Sequence, residues 1–252
     1  GASLPSPIVS AAREGMGVAG TQAFGLREMF GTMTKPFHPG KAAQNGLLAA
    51  MLARRGFTSS KQVLEAKRGF ANVMAPSHDL SRVLDRWGEV YEFEKNSFKP
   101  YACGIVLHPA IDACIELGRL ARPEEVAEIE IRVNPYVLEL TGKEAPTTGL
   151  EGKFSIYHSG AIAFLDLDAA EEQYTDRKVQ APETIELRKK IRPVADESIP
   201  KDKAEAVLRT KDGREYRVRI DHATGSLHNP MSQEMLERKF AKLCRPVLSE
   251  RQ

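Results

Sequence analysis

Cysteine is scarce in this chain of 252 residues, which has only three, and no two of them form a Cys-x-x-Cys pair. An odd and sparse count indicates a reducing compartment rather than a disulfide-stabilised scaffold. The first residues show neither the basic segment nor the long apolar segment of a secretory signal. No apolar run approaches the roughly 18 residues that a membrane helix needs. The sequence therefore predicts a cytoplasmic protein that does not associate with membranes.

An excess of charge of one sign is also missing. The 36 Lys and Arg residues nearly balance the 34 Asp and Glu residues, for a formal net charge of +2. A chain this close to neutrality lacks the basic surface that attracts nucleic acid. Aromatic residues do not alternate with a basic stripe, the pattern that favours single-strand binding. We therefore expect no nucleic-acid partner.

The common motifs for cofactors and metals are absent. Neither GxGxxG nor GxxxxGK[ST] occurs, which argues against a nucleotide-binding fold. There is no GxSxG nucleophile elbow and no HxH or HExxH spacing. The sequence therefore predicts no metal site and no bound cofactor.

Two stretches that are present place a lysine before a proline and an aromatic residue: GTMTKPFHPGKAAQNG at 31–46 and FKPYACGIVLHP at 98–109. Because proline disfavours helix at the residue before it, we expect Lys35 and Lys99 on rigid, non-helical turns, the first leading into a helix over 42–54. A lysine near the N-terminus of a helix can form a carboxylate or phosphate site. The alternative is that both lysines are solvated loop residues.

Three histidines are candidates for proton transfer, because histidine titrates near neutral pH: His38, His108 and His158. Each could instead be a structural hydrogen-bonding residue. The proximity of Lys99 could lower the pKa of the Cys103 thiol, although a buried, unreactive cysteine is the alternative.

The spacing of apolar residues divides the chain into two parts with different predicted secondary structure. The part up to about residue 95 is predicted to be all-α. Beyond it, residues 125–133 show the alternation of a half-buried strand, and Asp212-Gly213 predicts the turn of a hairpin over 204–220. Further helices are predicted over 108–120, 153–167, 182–190 and 232–243. Helices packed against a small antiparallel or mixed sheet predict an α+β layer for this part of the chain.

Four long motifs, in this order, resemble the MmgE/PrpD family: GTMTKPFHPGKAAQNGLLAAMLARRGFTS, FKPYACGIVLHPAIDA, VNPYVLELTG and KFSIYHSGAIAFLDL. Members of that family include dehydratases, decarboxylases and epimerases of polycarboxylic acids. The resemblance implies a multidomain α and α+β protein. An all-helical domain, discontinuous in sequence, would take residues 1–95, a smaller α+β lid would take 96–228, and a helix in 229–252 would return to the helical domain.

The resemblance also carries expectations about assembly. Family chains are nearly twice this length, so the N-terminal half of the helical domain, with part of the active-site wall, would be missing here. The family typically forms homodimers, and we expect the same of this protein.

The resemblance implies roles for individual residues. Lys99, Tyr136, His108 and His158 would be catalytic, with Lys99 at the start of the lid. A second set would bind substrate: Lys35, His38, Arg27, Lys153 and Tyr101. Lys153, Tyr157 and His158 would lie on a lid helix that faces the cleft. The family's decarboxylase pattern has a histidine where this chain has Gly104, and this departure argues against decarboxylation of cis-aconitate.

The predicted function is a cofactor-independent lyase, a hydro-lyase similar to 2-methylcitrate dehydratase, acting on a di- or tricarboxylic acid. Lys35 and Lys99 would bind carboxylates and stabilise developing negative charge, and His108, His158 or Tyr136 would move the proton. One alternative is an epimerase of an amino- or imino-dicarboxylate. The other is a truncated, non-catalytic member of the family that serves as an assembly partner.

Overall fold

A computed structural model describes residues 6–248 of the chain. It divides into two compact units, Gly1–Tyr91 and Glu92–Gln252. In the described range, no helix combines the length and the apolar character that a membrane crossing requires. Each unit is described below by itself.

The first unit is helical in its described part. Its helices are α1 (Ser6–Gly20), α2 (Thr34–Arg54) and α3 (Phe70–Met74), with 3₁₀ turns at Arg27–Met29 and Leu80–Val83. Gly15 of α1 lies against Ala49 and Ala53 of α2, where an added Cβ would make ordinary contacts at 3.9 and 3.8 Å. The predicted all-α character of this region is confirmed.

The predicted start of α2 is wrong. The sequence indicated a non-helical turn followed by a helix from residue 42, whereas α2 begins at Thr34 and includes Pro36 and Pro39. Pro36 is tolerated because it lies in the first turn, where the first four N–H groups have no intrahelical partner in any case. Pro39 lies inside the helix, where it cannot donate to the carbonyl oxygen four residues earlier. Lys35 therefore lies on the first turn of a helix. The predicted end is confirmed at Arg54.

The second unit is built on one four-stranded mixed sheet. Its strands are β1 (Val126–Val133), β2 (Ile191–Ala195), β3 (Ala204–Thr210) and β4 (Glu215–Ile220), in the order β2-β1-β3-β4. β1 pairs parallel with β2 and antiparallel with β3, and β3 pairs antiparallel with β4. The predicted hairpin is confirmed, and Gly213 at its turn has a φ of +86°, which suits glycine.

The helices of the second unit are α4 (His108–Gly118), α5 (Pro135–Thr141), α6 (Gly149–Gly152), α7 (Ile156–Asp166), α8 (Asp176–Val179), α9 (Pro182–Arg188) and α10 (Gln233–Cys244). Four of them, α4, α7, α9 and α10, lie close to predicted positions, whereas α5, α6 and α8 were not predicted. α7 begins three residues later than predicted because the Ser155 hydroxyl accepts from the His158 N–H at 3.1 Å and caps the helix. Lys153 therefore lies outside that helix, at the end of α6.

The core of the second unit lies between the sheet and helices α4 and α7. α4 buries nine of its eleven residues, and α7 buries eight. Gly160 of α7 faces the sheet, where an added Cβ would lie 3.1 Å from the Cδ1 atom of Ile131. A mixed α/β fold is therefore shown for the described chain.

The opposite face of the sheet carries charged side chains. Glu130 of β1 is only 3% exposed, and it is ion-paired with Arg132 and Arg192. The hydrogen bond from Arg132, supported by the charges of Arg192 and Arg209, holds the pKa of Glu130 below its usual range. This face is thus covered by charge pairs, and the apolar packing is confined to the helical side.

Candidate functional site

Lys99 lies on a non-helical turn ahead of α4, as predicted. Its Nζ donates to the Cys103 carbonyl oxygen at 3.3 Å, and its own carbonyl oxygen accepts from Nζ of Lys239 in α10. The N–H of Ala102 donates to the Ala169 carbonyl oxygen at 2.9 Å. The main chain of this turn is therefore held from two sides, by α10 and by the segment after α7.

His108 is the first residue of α4, as predicted, and is 3% exposed. Its ring meets the ring of Tyr101 edge-on, with the centroids 5.3 Å apart. Among the described residues, its Nε2 atom has no hydrogen-bond partner. Burial, then the nearby ammonium groups of Lys99 and Lys239, lowers its pKa to about 4. The imidazole is therefore neutral at neutral pH, with one ring nitrogen unused.

Tyr101 is buried, and its hydroxyl donates to the carboxylate of Asp112, which also accepts from the Thr224 N–H at 2.6 Å. Burial and the charge of Asp112 raise the pKa of the tyrosine above its usual range, while burial raises that of Asp112. The phenol therefore stays protonated, and its proton is already used inside the fold. The substrate-binding role of Tyr101 remains a prediction, and its donor is occupied in this structure.

Lys153 borders the same turn. Its carbonyl oxygen accepts from the Gly104 N–H at 3.3 Å, and its Nζ forms an ion pair with Glu171 at 2.6 Å. Gly104 has ordinary backbone angles, and an added Cβ would meet Cγ2 of Thr141 at 3.6 Å, a normal contact. Position 104 therefore has room for a Cβ.

Cys103 is buried, and burial raises the pKa of its thiol to about 12. The charges of Lys99 and Lys153 act in the opposite direction but do not outweigh the cost of burying a thiolate. Cys103 therefore fits the alternative from the sequence, a buried and unreactive thiol.

His158 lies in the core of the second unit and is 0% exposed. Its Nε2 atom is 3.0 Å from the Gln173 carbonyl oxygen, and its ring contacts the ring of Tyr174. Burial lowers its pKa to about 4. The expectation that His158 faces a cleft is therefore wrong: α7 turns this side chain into the core, where it joins the helix to the following segment.

Tyr136 lies in the first turn of α5, after the Asn134 side chain, which accepts from the Tyr136 N–H at 3.1 Å. Nζ of Lys201 is 4.4 Å from the centre of the tyrosine ring, within range of a cation–π interaction. The sequence did not indicate Lys201, because the two residues are distant in the chain and no motif joins them.

Three predicted residues lie in the first unit. Lys35 is exposed on the first turn of α2, and His38 follows it one turn later, with its ring against Gly25. Arg27 begins a 3₁₀ turn and is not without an interaction partner. The structure thus brings Lys35 and His38 to one end of α2, and it brings Lys99, Tyr101, His108 and Lys153 together in the second unit.

Metal-ligating side chains do not cluster in the described part of the chain. Between residues 6 and 248, no group of three or more His, Cys, Asp or Glu side chains could hold a metal ion.

Two family models match the chain in order: the MmgE/PrpD N-terminal domain over residues 9–83 and the MmgE/PrpD C-terminal domain over residues 101–252. The second match alone covers more than half of the chain, so the chain belongs to the MmgE/PrpD family. The family resemblance in the sequence motifs is confirmed.

The curated relatives that match the chain share one name. The chain is similar to cis-aconitate decarboxylase of Mus musculus, at 27% identity over 90% of this chain and 49% of the relative. It is also similar to the enzyme of that name from Homo sapiens, at 25% identity over 94% of this chain and 51% of the relative. The enzyme of that name from Aspergillus terreus is 24% identical over 94% of this chain and 53% of the relative. The chain spans about half the length of the curated relatives it matches.

Proposed function

We propose that this protein is a cofactor-independent lyase that acts on a di- or tricarboxylic acid. The observation that carries this proposal is the neighbourhood of Lys99, whose ammonium group has no carboxylate partner among the described residues and lies near the neutral, buried ring of His108. The names of the relatives, which specify a tricarboxylic acid as substrate, support the same class.

Lys99 would bind a carboxylate of the substrate and stabilise the negative charge that develops on the adjacent carbon when a proton leaves. The released proton needs an acceptor, and we propose the free Nε2 atom of His108. The lysine charges lower the pKa of His108, and binding of the anionic substrate would offset them. The pKa of His108 would then rise, which makes the imidazole a better base. Tyr136 is the second candidate for this role.

Dehydration of a 2-methylcitrate-like acid is the reaction we favour. In it, the base takes the proton from one carbon, and the hydroxyl group of the neighbouring carbon takes up a proton from the protonated base and leaves as water. Gly104 supports this choice, because the position lacks the histidine that the decarboxylase pattern implies, although a Cβ would fit. The same observation favours epimerisation of an amino- or imino-dicarboxylate as the second candidate.

We propose that the rest of a helical domain completes the site and the fold. The apolar residues Leu47, Leu48 and Met51 of α2 are 66%, 46% and 53% exposed, and exposed apolar surface of this kind marks an interface. We propose that the rest of a helical domain covers it, with 1–95 in that domain, 96–228 as a lid and a returning helix in 229–252. A cytoplasmic homodimer is part of the same proposal.

The test is an NMR assay of the intact protein in deuterated water with 2-methylcitrate, cis-aconitate and an aspartate-like acid. We expect water loss, and at least about a 10²-fold lower rate for Lys99→Ala. Lys211→Ala, which removes an exposed lysine of the hairpin turn, is the matched control and should retain the wild-type rate.

Other outcomes assign other functions. Deuterium incorporation without net turnover would favour the epimerase, and release of carbon dioxide would favour a decarboxylase. Inertness towards every acid would favour the non-catalytic alternative. Full activity of Lys99→Ala would overturn the assignment of that lysine.

A further inference from the structure

Helix α10 reaches the Lys99 turn through two lysines placed one helical turn apart. Lys239 donates from Nζ to the carbonyl oxygen of Lys99, and Lys242 forms an ion pair with Asp168. No residue of α10 is buried, so these polar contacts, rather than apolar packing, define its attachment here. The two lysines differ in one respect, because only Lys242 has a carboxylate partner.

Lys99 and Lys239 are two neighbouring lysines without an ion pair in the described range. Three nearby carboxylates already have partners: Asp112 accepts from a tyrosine and a main-chain N–H, Asp168 from Lys242, and Glu171 from a second lysine. Glu116 and Glu172 line the same cleft as Lys239 and form no ion pair among the described residues. An anion from solution could still pair with both ammonium groups at once.

Donors remain for such an anion. An ammonium group has three N–H donors, and Lys99 and Lys239 each use one of them within the protein. The His108 ring packs edge-on against the ring of Tyr101, two residues after Lys99, with the centroids 5.3 Å apart. The buried Nε2 atom of His108 adds a third polar group without a partner in the described part of the chain.

We propose that Lys239 is a second carboxylate-binding residue of the site formed by Lys99 and His108. The ammonium groups of Lys99 in the turn and Lys239 in α10 would bind two carboxylates of the same substrate. Alternatively, they would bind the two oxygens of a single carboxylate. Such a pair would favour polycarboxylic over monocarboxylic acids and would make α10 part of the recognition site. The inference rests on the proposed function and adds to it a residue from a different element.

The experiment is calorimetry of the intact protein with citrate as the probe, at low ionic strength. Lys239→Met should weaken citrate binding about tenfold or more, because a hydrogen bond to a charged group is worth about 1.5–3 kcal/mol. Lys242→Met, in the same helix, should stay within about twofold of wild type. Lys239→Arg should retain most of the affinity.

Lys239→Gln separates charge from positioning. The amide can still donate to the Lys99 carbonyl oxygen but carries no charge, so we expect it to weaken citrate binding as Lys239→Met does. Wild-type affinity in Lys239→Gln, together with loss in Lys239→Met, would show that Lys239 only positions the turn and would overturn the proposal. Circular dichroism confirms that each variant is folded.

The Lys99→Met variant separates this inference from the proposed function. If Lys99→Met weakens citrate binding and Lys239→Met does not, the inference about Lys239 is wrong and the proposed function stands. If the wild-type protein does not bind citrate at millimolar concentration, the inference about Lys239 is overturned, and turnover in the NMR assay decides the proposed function separately.

Discussion

Helices α2 and α4 belong to different units and show what a helix needs beyond its own sequence. α2 has 21 residues and buries three of them, whereas α4 has 11 and buries nine. Both carry apolar residues at helical spacing, but only α4 packs against a sheet. Apolar periodicity thus predicts a helix, and burial depends on whether another surface of the protein is there to cover it.

The same contrast separates the two predicted lysines. Lys99 lies on a turn whose main chain is bonded to α10 and to the segment after α7. Lys35 is exposed on the first turn of α2. A residue held by several elements is pre-organised for binding, so the candidate site in the second unit has the better structural support.

The largest expected effect is on stability, with one leucine from each helix. Leu117 of α4 is 0% exposed and Leu47 of α2 is 66% exposed. Leu117→Ala should lower the free energy of unfolding by about 2–5 kcal/mol, because it removes buried methyl groups and leaves a cavity. When no further protein covers α2, Leu47→Ala should change it by less than about 0.5 kcal/mol. Urea titration measures both, and an equal loss in the two variants would show that Leu47 is covered in solution.

A second prediction concerns pH. The buried rings of His108 and His158 have pKa values of about 4, below the usual 6.5, so the unfolded chain binds their protons more readily than the folded chain. Stability is therefore fully present above about pH 6.5 and is lost as the pH falls towards 4, by about 3 kcal/mol for each ring. His158→Gln should remove part of this slope in urea titrations at several pH values. His78→Gln, at an exposed site of the other unit, should leave it unchanged.

A third prediction compares two glycines near the Lys99 turn. Gly225 has a φ of +85°, and an added Cβ would lie 2.8 Å from Cδ of Pro100. Gly225→Ala should therefore destabilise the second unit by about 1–3 kcal/mol. Gly104→Ala should be close to neutral, since its Cβ would make only normal contacts. Thermal unfolding of the two variants decides this, and equal melting temperatures would contradict it.

The last prediction concerns Gly104→His, because the backbone at that position suits any residue and a Cβ makes only ordinary contacts. The informative measurement is the product distribution with cis-aconitate. We expect carbon dioxide release to increase relative to wild type. An unchanged product distribution in a folded variant would show that position 104 does not determine the reaction.

Parts of the fold that depend on local chemistry were predictable from the sequence. The turn at Asp212-Gly213 needs a positive φ, which made the hairpin recognisable, and the pattern of β1 was equally clear. β2 was missed because it is short and contains Pro193, which an edge strand tolerates. Its parallel pairing with β1 involves residues about 60 positions apart, for which the sequence has no local signal.

The site shows the same division. Lys99 and His108 were identified because they share one motif and lie on adjacent local structure. The contact of Lys239 with Lys99 was not predictable, because it joins residues 140 positions apart. The orientation of His158 was wrong because the packing of α7 on the sheet, rather than its own sequence, determines which side of the helix is buried.

Competitive acylation of lysines, with and without saturating citrate and read residue by residue by mass spectrometry, tests the central claim that Lys99 binds a carboxylate. We predict that citrate slows modification of Lys99 and Lys239 and leaves the exposed Lys211 unchanged. Protection of Lys35 in the same experiment would extend the site to the helical unit. An unchanged rate at Lys99 in saturating citrate would contradict the account.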